Sequence, residues 1–227
     1  MRLTTSQIAK IDETLMVNGI IYDDLKLELI DHIASEIEAE IKEPDLDFET
    51  VFTKVFERWK KHLMPTTYGF WLGYMHSGPK IYMDRVLKFT KSEYKWVAIL
   101  IAFVLIIKLF NYDVYLNDEY SNILRIIIRV VVIGFFTTFV CGRLFLLKSE
   151  FITTYSEMYK KRTYLTVLYF VMIMVGEYPV LPVNDNKEGT LFSLLFIILF
   201  VVYIINALRL LLIHYKTEKQ FERNFLI

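Results

Sequence analysis

Glu28, His32 and Glu36 stand four residues apart on a stretch of helical periodicity, with Asp31 beside them. At 3.6 residues per turn such a row lies along one face of a helix, and carboxylate, imidazole and carboxylate are ligands for divalent metals. Three readings of the row stay open. It is a metal site only if other segments close the ligand set, because residues climbing one helix cannot all converge on one ion. It is a solvated face if its charges meet opposite charges. It is a partner-docking face if apolar side chains flank it, and Leu25 and Leu29 are expected on the same outward side. The candidate docking set is therefore Leu25, Glu28, Leu29, Asp31, His32 and Glu36, and no catalytic, cofactor-binding or metal-binding residue is assigned.

Arg129 and Glu177 form a second candidate set, because both fall inside long apolar stretches. An arginine within a bilayer costs ~2.5 kcal/mol or more on insertion scales unless it is paired, hydrated or snorkelling. The two charges either snorkel separately, neutralise each other as an intramembrane pair, or line a polar pathway. Catalytic signatures are missing: there is no HExxH, no G-x-S-x-G, no Walker A and no glycine-rich dinucleotide loop. Cys141 is the single cysteine, which excludes an intramolecular disulfide and a cysteine-based metal site. The expectation is a non-enzymatic protein without a cofactor.

The elements that carry these residues follow from hydropathy. Four apolar stretches, Trp96–Tyr112, Ile123–Leu146, Tyr164–Val183 and Thr190–Ile213, approach the ~20 residues that span ~30 Å of hydrocarbon. The predicted fold class is all-α: a polytopic membrane protein with four transmembrane helices and an N-terminal three-helix cytoplasmic domain. Bases gather before the first stretch (Lys80, Arg85, Lys88, Lys91, Lys95), between the second and third (Arg143, Lys148, Lys160, Lys161, Arg162) and in the tail (Lys216, Lys219, Arg223). Acids gather in the other two loops, with Asp113, Asp118 and Glu119 in one and Asp185 and Glu188 in the other. The positive-inside rule then puts both termini of a multi-pass membrane protein in the cytoplasm. No cleavable signal peptide is expected, since the N-terminus is polar and amphipathic. On the second stretch, Gly134, Thr138, Cys141 and Gly142 make a small-residue strip that permits close helix contact, within the bundle or in a homo-oligomer.

Four segments are expected. Residues 1–63 form the helical domain. In it Thr4 and Gln7 make a capping box, Asn18-Gly19 stops the first helix, Pro44 ends the second, and Asp47 caps the third. The second helix should bury Leu27, Ile30, Ile33, Ala34, Ile37 and Ile41; the third carries an apolar stripe of Phe48, Val51, Phe52, Val55, Phe56 and Trp59. Residues 64–95 read as an interfacial aromatic and basic collar with a short helix at 80–89 whose Ile81, Val86, Leu87 and Phe89 face lipid. Residues 96–215 hold the membrane helices and 216–227 a cytoplasmic tail. Residues 2–63 carry 8 bases against 14 acids and residues 64–95 carry 5 against 2. That split favours membrane lipid as a partner of the collar and argues against direct nucleic-acid binding.

The run Glu28-Leu29-Ile30-Asp31-His32-Ile33 resembles the E-L-x-D-H-[IL] helix of small N-terminal domains on membrane proteins of Bacteroidetes-type bacteria, akin to the HAAS-type helical signalling domain. The order of helical domain followed by spans is similar too. The resemblance covers about 60 residues. It implies a bacterial inner-membrane protein with a signalling or interaction role and a cytoplasmic protein partner, in a family often associated with PadR-type regulators. A small permease subunit and a lipid-modifying membrane enzyme remain the alternatives.

Overall fold

The computed structural model describes residues 2–41, 47–68, 76–109, 118–175 and 187–225, which are mostly helical and divide into two compact units. The first unit holds residues 1–90 together with 150–154; the second holds 91–149 and 155–227.

In the first unit, α1 (Thr5–Val17) starts on the predicted capping box: the Gln7 amide donates to the Thr4 hydroxyl at 3.3 Å and the Thr4 amide to the Gln7 side chain at 2.8 Å. Gly19, at φ +83°, lets the chain leave the helix in the left-handed region, and the Ile20 amide returns to the Leu15 carbonyl. Helix α2 (Asp23–Glu40) then packs on α1 and on α3 (Phe48–Leu63), whose first turn is capped by Asp47.

Ile11, Leu15, Ile20, Leu25, Leu29, Ile33, Ile37, Val51 and Val55 close the core between these helices. Leu25 and Leu29 are thus buried at 0% and 1% exposure, which corrects their expected place on the outward face. The helix presents its 25–29–33–37 row inward, and Leu27 and Ile30 only flank it. Both rows are apolar, so periodicity alone could not choose between them; packing against α1 and α3 did.

The next segment departs from expectation. Pro65–Tyr68 (β1) and His76–Pro79 (β2) pair antiparallel, with Pro65 opposite Pro79 and Tyr68 opposite His76. The two prolines face each other at one end of the ladder, where a missing amide donor costs least. Helix α4 (Lys80–Leu109) starts directly after β2 and runs unbroken through the predicted 95/96 boundary. Its first turns bury Tyr82, Met83 and Val86, and Tyr22 stacks on Tyr82 at 4.5 Å, so Val86 serves the unit's interior instead of facing lipid.

The second unit contains the rest of α4, α5 (Asp118–Lys148), α6 (Thr154–Lys161), α7 (Thr163–Val175) and α8 (Lys187–Phe225). Val132, Phe200 and Ile204 form its core cluster, supported by Phe135, Tyr169, Phe170 and Leu208. Among the described residues two helical segments, Arg129–Lys148 and Leu199–Arg223, are long and apolar enough to cross a membrane, where the sequence suggested four. Only 22% of the apolar window in the first is buried and 33% in the second. Ile126, Val130, Leu144 and Leu212 are all more than half exposed. A water-soluble monomer rarely leaves so much apolar surface uncovered. The small-residue strip divides: Gly134, Thr138 and Cys141 are exposed, whereas a Cβ at Gly142 would collide with the Tyr159 hydroxyl and with Leu211.

Candidate functional site

The head of α2 carries the most connected polar group of the first unit. Asp23 and Asp24 occupy its first turn, where carboxylates favour the positive end of the helix, yet no side chain caps that end. Their carboxylates turn to residues 150–154 instead. The Asp23 amide donates to the Ile152 carbonyl and the Ile152 amide to Asp23 Oδ2, both at 2.8 Å. Asp24 Oδ1 accepts from the Thr154 amide at 2.7 Å and from its hydroxyl at 3.1 Å, while Asp24 Oδ2 accepts from Arg85 Nη1 at 3.1 Å. The Asp24 side chain is 6% exposed and Thr153 and Thr154 are fully buried. A carboxylate taken this far from water needs such donors, and here it has three, one of them charged.

Arg85 joins this grip to the sequence-predicted row, because its Nη2 donates to Glu28 at 2.5 Å. Glu36 pairs with Arg58 at 3.2 Å, and Arg58 also reaches Glu40 at 2.7 Å. Hydrogen bonds from Lys54, at 3.0 Å, and from Arg58 hold the Glu40 carboxyl below its usual range. Two members of the proposed ligand row therefore point at arginines, and Asp31 and His32 remain exposed on the outer face of α2. Of the six docking candidates, Glu28, Asp31, His32 and Glu36 share that outer side, and Leu25 and Leu29 do not. No group of three or more metal-ligating side chains is gathered among the described residues.

Within the second unit, Arg162 and Glu93 form a buried ion pair at 2.5 Å, their side chains 10% and 14% exposed. Burial pushes the Glu93 carboxyl up, opposed by the attraction of Arg162 and Arg209. The guanidinium lies 5.0 Å from the centre of the Tyr203 ring. Nearby, the buried Tyr159 hydroxyl donates to the Phe139 carbonyl at 2.8 Å, and burial pushes that hydroxyl up. Arg129 stands exposed on α5; Glu177, and with it the expected Arg129–Glu177 pair, lies outside the described residues.

Sequence reasoning passed over Asp23, Asp24, Thr154, Glu93 and Tyr203, and read Arg85 only as one of the bases before the first apolar stretch. The one available signal was the doubled acid at a helix start that lacks a Ser, Thr or Asn cap. The partners lie 61 and 130 residues from Asp24, beyond the reach of any local pattern. No protein family, no curated protein and no solved structure matches this chain.

Proposed function

We propose that the protein is a non-enzymatic, multi-pass inner-membrane relay whose cytoplasmic helical unit binds a protein partner through the outer face of α2, using Glu28, Asp31, His32 and Glu36. In this reading four helices cross the bilayer and both termini face the cytoplasm. The observation that carries it is the grip of Asp23 and Asp24 on residues 150–154. That segment directly follows α5, one of the two helices long and apolar enough to cross a membrane, and Thr154 is the first residue of α6. In this reading the docking face and the chain that follows a membrane helix are both tied to the first turn of α2, which gives an event at either a mechanical route to the other.

A photoreactive residue at position 31 of the full-length, membrane-embedded protein tests this. The expected result is one discrete protein adduct, absent when the residue is placed at Lys54 on α3. Asp24→Ala should keep the adduct and expose residues 149–154 to protease. Adducts with lipid alone, or none, would sink the docking assignment, and an unchanged cleavage pattern in Asp24→Ala would sink the relay.

A further inference from the structure

Between Thr154 and Val175 the chain has no proline and no glycine, yet α6 stops at Lys161 and α7 begins at Thr163. Glu157, Met158, Lys160, Lys161 and Arg162, the residues that lead into the break, are mostly good helix formers, and Glu157 reaches Lys161 at 3.9 Å with helical spacing. A helix of this composition breaks where something enters its hydrogen-bond ladder.

What enters here is partly local, the Thr163 hydroxyl donating back to the Lys160 carbonyl at 2.8 Å, and partly tertiary. The Arg162 amide bonds three residues back, to the Tyr159 carbonyl at 3.1 Å, which tightens the turn. The Arg162 carbonyl accepts from the Thr166 amide at 3.0 Å and the Thr166 hydroxyl at 2.9 Å, both contacts of the first turn of α7, and from outside that helix it accepts from the Tyr203 hydroxyl of α8 at 3.0 Å. The guanidinium is pulled the other way, onto Glu93 of α4, and also donates to the Tyr203 carbonyl at 3.4 Å. One residue is therefore fixed by two neighbouring helices through both its backbone and its side chain. All of these contacts lie within the second unit.

We infer that the α6–α7 break is a two-state joint, held broken by Glu93 and Tyr203 and free to close into one straight helix over residues 154–175 when they release Arg162. The helix formers that lead into the break favour the straight form, whereas the Thr163 hydroxyl and the contacts of Arg162 with Glu93 and Tyr203 favour the broken one, which is the opposition a switch requires. The inference stands whether or not the relay reading does.

The test uses the full-length protein in lipid nanodiscs with Cys141→Ser. Nitroxides at positions 157 and 171 bracket the joint, and a second pair at 130 and 144 provides the same spacing within unbroken α5. Fourteen residues of straight helix span ~21 Å. The 157–171 distance by pulsed EPR should be shorter than the 130–144 distance in the parent protein. It should lengthen toward that value in Tyr203→Phe and in Glu93→Gln. Tyr203→Phe removes one hydroxyl and keeps the ring, so it decides the matter even if the Glu93 variant does not fold. Equal distances in the parent protein, or a 157–171 distance unmoved by Tyr203→Phe, would overturn the proposal.

Discussion

Asp24 and Glu93 are both carboxylates withdrawn from water beside an arginine, and they meet the cost of burial differently. Asp24 adds the amide and hydroxyl of Thr154 to its Arg85 partner. Glu93 has Arg162 as its hydrogen-bond donor, and burial outweighs the attraction. Because the folded-state value of Glu93 lies above its reference of 4.5, the folded protein binds this proton more tightly than the unfolded one. The associated stability is present below pH 4.5 and is lost as the pH rises through the folded-state value. Thermal unfolding in detergent should therefore show a midpoint that declines as the pH is raised from 4.5, and Glu93→Gln, which removes the ionisable group, should flatten that slope. A slope of the same size in the glutamine variant would assign the titration to another group.

At the scale of elements, α3 shows how a stripe read from spacing resolves into unequal parts. Val51 and Val55 are fully buried and Phe52 is 8% exposed, whereas Phe56 and Trp59 are only partly covered, Trp59 with its ring 5.8 Å from that of His62. Phe52→Ala in the full-length protein should cost about 3–5 kcal/mol, as large core truncations do, and Trp59→Ala distinctly less, since less of its surface leaves water on folding. Equal losses in chemical denaturation would mean that the C-terminal turns of α3 are buried as deeply as its start. The ends of these helices were legible because caps are local: Thr4 with Gln7, the left-handed Gly19 and Asp47 each act within a few residues. The inward face of α2 was not, because Leu25 and Leu29 compete with Leu27 and Ile30 at nearly equal hydrophobicity. The β1–β2 pair escaped as well, its short strands hidden among Pro, Gly and aromatic residues that also suit a membrane interface.

At the scale of the molecule, the proposed threading puts residues 147–162 on the cytoplasmic side. Cysteine labelling in the Cys141→Ser background checks it, with reporters at Ser149, Asn117 and Asn186. Positions 117 and 186 should label from outside intact cells and 149 only after permeabilisation; the reverse pattern would invert the orientation. The sequence by itself determined what short-range chemistry can settle: apolar helices of membrane length, helix caps, the sign of charge along the chain, and a mostly helical fold. Tertiary structure alone decided which carboxylates matter. It brought Asp24 to Arg85 and Thr154, and Glu93 to Arg162 and Tyr203. An ion pair or a buried carbonyl has no period and no fixed spacing, so its partner is set by which helix faces pack together, and that choice belongs to the whole chain.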